Sequence, residues 1–333
     1  MLIVIPGALP PATVAAELAK RLPQQAPALH AWLQAGHAHA QAFDVHAHGC
    51  TPYEAWQLEQ AGYQDQPGLP RGAGLGPLLA LPQSHARPDG LESGGASAAA
   101  GAQSPGVWLA ELVHLGLGTD QAAMLDPDQM DLHAEEAEAL YAEVAPLFEG
   151  TDFAAEPLSP QRWRVHLPPG LRPHTGSPHA VAGHSLNSWW PQDAAMRPWR
   201  RLLNEIQMAW HEHPVNEARA ARGVPPVNGL WLYGGAEPWP VQPAAPDVHV
   251  ATELNGAHRA GDWASWLDAL ARLDAAHIEP LATGKSGLPA RPAELLLLGE
   301  DRRVRLTLKP RAGLLKWLPA PKHDWNTWWS RPV

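Results

Sequence analysis

The sequence predicts an α/β protein with a mixed, largely parallel sheet flanked by helices and a smaller α+β lobe. Three observations carry this expectation. The chain opens on a continuous apolar run at residues 1–5, closed by Pro6. A second run, VNGLWLY at 227–233, lies between Pro226 and Gly234 and has the pattern of a strand buried on both faces, expected as a central parallel strand. Beyond it, stretches of strand and helix character alternate, as in folds that layer helices on a sheet.

Taken in order, the first run is a buried strand, too short for a signal segment or a membrane span. Helical spacing follows at 12–22 and 27–34. Thr51 and Pro52 form an N-cap and first-turn proline that open a helix to about residue 61. The glycines at 72–76 (GAGLG) lack the preceding strand and acidic residue of a dinucleotide site and are expected as a turn. Residues 83–106 hold almost no large apolar side chain and predict a flexible loop. A β-type run at 107–117 precedes an amphipathic helix over 131–148, strands at 151–153 and 162–167, and a proline-rich loop.

The segment 199–212 predicts a strong helix with Leu202, Leu203, Ile206, Met208 and Trp210 on its apolar face, ended by Pro214. A short turn or helix over 215–222 closes at Gly223. After 227–233 come a strand at 248–252, a helix at 262–275, and a hairpin joining 294–298 to 303–309 through Gly299-Glu300-Asp301. The last residues, KHDWNTWWSRPV, are expected to pack back on the body. The alternative is a tail offering Trp325, Trp328 and Trp329 to a protein partner. Three consecutive regions follow from this reading: an α-rich 1–106 ending in the loop 83–106, a central 107–235, and an α/β region 236–333.

Composition narrows the function classes. A formal charge of -10 disfavours nucleic acid and anionic membranes as partners. No stretch has the roughly 18 uninterrupted apolar residues of a transmembrane helix. The single cysteine, Cys50, cannot form an intramolecular disulfide, so a soluble protein of the reducing cytoplasm is expected. The run His37, His39, Asp44, His46, His48 and Cys50 has zinc-like chemistry in a spacing that matches no zinc module, so it is not assigned as a metal site.

The sharpest local signal is RRLLNEIQMAWHEHPVNEARAARGVPPVNGLWLYGG. On a helix, Asn204, Gln207 and His211 share a stripe, and His213, Asn216 and Arg219 follow at three-residue spacing. With Arg222 and Asn228 they have the residue types of a small anion pocket, arginine offering a forked donor to phosphate or carboxylate. The same residues serve equally well to cap and brace a helix-turn-strand unit, and residue chemistry leaves both readings open.

HPVNEARAARGVPPVNGLWLYGG resembles the signature of archaeal-type cofactor-independent phosphoglycerate mutases, and SPHAVAG at 177–183, with His179, resembles the family's PHD-and-glycine stretch. The likeness is closer still to a proteobacterial branch of RpfE-like regulatory proteins, in which an Arg-Trp pair such as Arg162-Trp163 precedes a strand. The resemblance implies an alkaline-phosphatase-like fold and a ligand site containing His179, Asn204, His211, His213, Asn216, Arg219, Arg222 and Asn228.

This chain departs from the family where catalysis resides. The mutases end their first strand in a metal-binding Asp followed by a serine nucleophile, whereas here the strand ends IPGALPP and no acidic residue precedes Glu17. The loose ELNGAH at 253–258 stands where the family has a cluster of acids and histidines. A degenerate alkaline-phosphatase-like fold with an eroded metal centre is therefore expected. It would be a non-catalytic regulatory or ligand-binding protein with no cofactor and no assigned metal, taking a small phosphorylated or carboxylate ligand or a protein partner. Its rivals are an active metal-dependent mutase and a protein-interaction module built on the tryptophan-rich C-terminus.

Overall fold

The computed structural model describes residues 1–81, 105–117, 122–190, 193–283, 287–310 and 322–330. The loop expected at 83–106 lies almost wholly outside the described residues. In chain order the elements begin with β1 (Leu2–Pro6), α1 (Ala12–Gln25), α2 (Pro27–Ala35), β2 (His37–Ala42), α3 (Val45–His48), α4 (Pro52–Gln60) and α5 (Leu75–Leu79). Next come β3 (Trp108–Val113), β4 (Leu115–Leu117), β5 (Ala122–Met124), α6 (Ala134–Val144), β6 (Ala154–Ser159), β7 (Arg162–His166), α7 (Pro178–Val181), α8 (Arg197–His211), α9 (Pro214–Ala221) and β8 (Gly229–Gly234). The last group is β9 (Val248–Val250), α10 (Asn255–Ala260), α11 (Trp263–Leu273), β10 (Ala282–Thr283), β11 (Leu288–Pro289), β12 (Ala293–Leu298), β13 (Arg302–Leu308) and α12 (Asn326–Trp329).

The chain divides into two units, neither continuous in sequence. Unit 1 is Met1–Val45, Thr51–Trp56 and Pro243–Val333, and unit 2 is His46–Cys50 with Gln57–Gln242. The three consecutive regions read from the sequence differ from these units, because β1 pairs with strands from the far end of the chain. Local patterning does not record such long-range closure.

Unit 1 is α/β, with a mixed sheet of order β2-β13-β12-β1-β9. Its three strands β9, β1 and β12 run parallel, with Val4 between Val250 and Leu296. Antiparallel β13 and β2 extend it through the expected hairpin. One face packs α1, α2 and α11 into a core with Trp32 and Trp266. The other carries Val4, Leu296 and Leu298 under Trp56. The cap of α4 is reciprocal: Thr51 Oγ1 accepts from the Glu54 N–H at 3.2 Å, and the Glu54 carboxylate accepts from the Thr51 N–H at 2.8 Å.

The C-terminal tryptophans belong to this core. Trp325 and Trp329 are buried and Trp328 is partly buried, and Arg302 Nη2 donates to the Trp329 carbonyl at 2.6 Å. The tail thus packs back on the body as expected, and the alternative of an exposed docking element is set aside: burying the indoles outweighs offering them to solvent.

Unit 2 has a four-stranded antiparallel sheet of order β6-β7-β3-β8. The run at 229–234 is thus an edge strand antiparallel to β3, and the expected central parallel placement is corrected. Its continuous apolarity reflects burial of both faces. Leu230 and Leu232 join Leu202, Leu203, Ile206 and Trp210 of α8, while the Trp231 indole reaches the Gly176 carbonyl at 2.9 Å. Side-chain periodicity reports faces and says nothing of hydrogen-bonded edges.

Smaller differences have local causes. The strand expected at 151–153 begins instead at Ala154, because Thr151 Oγ1 closes a turn with the Phe148 carbonyl and the Phe153 N–H. The glycine-rich 72–76 forms a 3-10 turn, Arg71–Gly74, running into α5. A Cβ at Gly76 would collide with the Val107 carbonyl, so glycine there permits close backbone approach. Met208 points to solvent, 78% exposed, and leaves the apolar face of α8. Of the histidine run, His37 and His39 lie exposed on β2, whereas His46 and His48 fall on the helical α3.

Candidate functional site

The signature segment works mainly as a brace. Arg219 is fully buried and uses four of its N–H groups: Nε to the Pro225 carbonyl at 2.9 Å, Nη1 to Asp131 O at 3.2 Å and Glu136 Oε2 at 2.6 Å, and Nη2 to Met130 O. Arg222, half exposed, donates to the other oxygen of Glu136. Burial would raise the Glu136 carboxyl, but bonds from Arg222, the His133 N–H and Arg219 hold it below the usual carboxylate range.

Asn216 is buried and fully engaged. Its amide donates to the carbonyls of Trp210 at 2.7 Å and Val227 at 2.8 Å and accepts from the Val227 N–H at 2.8 Å. His213 N-caps α9 by accepting from the Val215 N–H at 3.2 Å. Asn228 imitates a strand residue, exchanging bonds of 2.7 and 2.9 Å with the backbone of Leu115, while Gln207 donates to the Asn228 carbonyl at 2.8 Å. Asn204 and His211 lie on the exposed face of α8.

Of the eight residues expected to line one pocket, Arg219, Asn216, Asn228 and His213 thus serve the backbone. The bracing reading accounts for them, because a satisfied buried arginine has its positive charge neutralised and its donors occupied.

His179 belongs to a different group. Its ring nitrogen and single oxygens of Asp126 and Asp128 all lie within 4.8 Å of one another, the one such group of three His, Cys, Asp or Glu ligands among the described residues. Asp126 is 8% exposed, whereas the side chains of His179 and Asp128 are 30% and 62% exposed. His179 Nε2 lies 3.3 Å from Asp128 Oδ1. The group is therefore rooted in the protein and open on one side. Sequence reasoning named His179 for the anion pocket and not for this group, and missed both aspartates; their only local signal was the Asp-Pro-Asp triplet, far from His179 in the chain.

The fold fixes both ligand-bearing segments. Asp126 caps the turn Pro127–Gln129, accepting the Asp128 N–H at 2.9 Å, and Gln161 donates to the Pro127 carbonyl at 2.7 Å. Ser177 caps α7 through its hydroxyl, and its own N–H reaches Gly49 O at 2.9 Å. Gly183 N–H donates to Met124 O at 3.1 Å, and Ala123 bridges Ser185, so the two segments are sewn together by backbone. Arg219 grips the carbonyls of Met130 and Asp131 just beyond the turn. Asn228 holds β4, the partner of β5 that leads into it. The signature is legible in the sequence, and what it positions is a cluster outside it.

Unit 1 presents a different arrangement where its parallel strands end, the usual place for ligands in open α/β sheets. The connection from β1 to α1 supplies only Gly7, Ala8, Leu9, Pro10 and Pro11. Its carbonyls are already taken: Gly7 O accepts from the Trp266 indole at 2.8 Å, Leu9 O bonds His258 Nε2 at 3.1 Å, and Pro10 O accepts from Arg302 Nη2 at 3.0 Å. Burial lowers the His258 pKa against the opposing pull of Glu300, and because a carbonyl only accepts, Nε2 carries the proton that faces Leu9 O. The β1–α1 connection thus supplies no carboxylate or imidazole donor of the kind each ion of a two-cation phosphoryl-transfer centre needs.

No family model matches the chain, and no curated protein matches it. Among solved structures it is similar to the cofactor-independent phosphoglycerate mutase of Thermoplasma acidophilum, at 16% identity and a TM-score of 0.32 over 92% of this chain and 89% of that one. It is also similar to the PH0037 protein of Pyrococcus horikoshii, at 12% identity and a TM-score of 0.41 over 92% and 86%. At these scores no functional argument passes from those proteins to this one. No helix of the described residues is long and apolar enough to cross a membrane.

Proposed function

We propose that this chain is a phosphoglycerate-mutase-like protein of the cytoplasm that has lost phosphoryl transfer and acts as a regulatory or ligand-binding protein. The supporting observation is the end of β1. No acidic side chain stands between Met1 and Glu17, and the carbonyls of Gly7, Leu9 and Pro10 are bonded to Trp266, His258 and Arg302. Transfer of a phosphoryl group relies on cations that neutralise its developing charge. A segment of glycine, alanine, leucine and proline offers them no side-chain ligand.

The signature segment, in this reading, outlasts the activity because it braces unit 2. Removing Arg219 would leave three carbonyls without this donor and take one of the partners of Glu136, so selection for folding alone retains it. The test is a coupled assay interconverting 3- and 2-phosphoglycerate with Mn²⁺ or Mg²⁺, run beside thermal shifts with both compounds. The expected outcome is no turnover above background. Robust turnover abolished by a chelator would overturn the proposal and favour the active mutase.

A further inference from the structure

We infer that Asp126, Asp128 and His179 form a binding site for a first-row divalent cation in unit 2. Three ligand atoms of suitable type already lie within 4.8 Å of one another. Two carboxylates so close repel each other when ionised, and the centre between them attracts positive charge while rejecting phosphate or carboxylate ligands.

The ligand types select the class of ion. Two carboxylate oxygens and one imidazole nitrogen suit Zn²⁺, Mn²⁺ or Fe²⁺, whereas Ca²⁺ prefers an all-oxygen shell of six to eight. Three protein ligands with one open side also match sites that keep a position for water or an exchangeable ligand. Burial is graded in the same sense, from the enclosed Asp126 to the exposed Asp128.

Preorganisation comes from independent parts of the chain. The Asp126 turn is held by Gln161 and, just beyond it, by Arg219. The His179 turn is held by the Ser177 cap and by the Gly183 to Met124 bond. A cation would take over the present His179 to Asp128 interaction, needing a small adjustment of two side chains and none of the backbone. Both segments being fixed, ordering costs on binding are small.

The experiment is calorimetric titration of the tag-free full chain with ZnCl₂, MnCl₂ and CaCl₂, with melting curves alongside. One equivalent of Zn²⁺ or Mn²⁺ should bind and raise the melting temperature, with Ca²⁺ weaker. Affinity should fall on acidification, since protons compete with a cation for its ligands. Asp126→Asn and His179→Gln should each weaken binding at least about 10-fold, the lower end of what losing even an outer-shell partner costs. Asp126→Asn retains an oxygen for the cap. If it melts early, Asp128→Asn, on an exposed side chain, carries the same test.

The triple variant H37Q/H39Q/H48Q should bind as the parent does. No saturable binding up to about 1 mM, the weak end of protein cation sites, overturns the inference. So does binding that survives Asp126→Asn and His179→Gln, or that disappears in the triple variant. The mutase assay fails or succeeds separately: metal bound without turnover leaves both readings standing, and turnover with these variants intact removes only the first.

Discussion

At the scale of single residues, the most informative side chain is Arg219, whose donors are spent on Glu136 and on carbonyls of Met130, Asp131 and Pro225. Arg219→Ala should cost at least about 1–3 kcal/mol in urea unfolding, because the carbonyls of Met130, Asp131 and Pro225 lose their donor and Glu136 keeps only Arg222 and the His133 N–H. Lysine should not restore it, since a point charge cannot span three directions. An anion-binding arginine would instead leave stability nearly unchanged on substitution.

His258 gives the second residue-scale expectation. Its pKa is lowered in the folded protein by burial, so below the unfolded value of about 6.5 the unfolded chain binds the extra proton first. Stability from this group is present above that pH and is lost as pH falls below it. The melting temperature of the parent should drop from pH 7 to pH 5.5. In His258→Gln it should be lower at pH 7, with that part of the slope gone; an unchanged slope would assign it to other groups.

At the scale of elements, the glycines and the tail are decisive. Gly76→Ala should destabilise by roughly 1–3 kcal/mol, the usual range for overpacking, because α5 would have to move off the Val107 carbonyl. Trp329 closes the core between Trp266 and Trp325, with ring centroids 6.3 and 5.6 Å away. Trp329→Ala should cost about 3–5 kcal/mol as a large core truncation. Equal melting temperatures for parent and variant would show that Trp329 does not support the core. Helix spacing and caps were readable in the sequence, as at Thr51 and Pro52, because they depend on neighbours within one turn. The edge position of β8 was not, because burial on both faces and pairing on both edges leave the same apolar run.

For the whole molecule, the chain leaves unit 1 before residue 57 and returns after Gln242, whose N–H is bonded to Ala61 O at 2.9 Å. The ends of unit 2 are thus adjacent, and its core is its own. A fragment of residues 46–242 should fold alone and melt in one cooperative transition by circular dichroism, as expected for an inserted unit. A non-cooperative melt would mean that its core needs the rest of the chain.

The sequence by itself determined the α/β class, the principal helices and the hairpin, and the resemblance carried by the HPVN and PVN-GLWLYGG signature. It also determined that β1 ends without an acid. These are local or compositional properties, set by periodicity and by which side chains exist at all. Only the tertiary structure decided that β1 lies between β9 and β12, that Arg219 is a brace, and that Asp126, Asp128 and His179 meet. Each of these depends on bringing residues far apart in the chain within a few ångströms, and local spacing has no term for that distance.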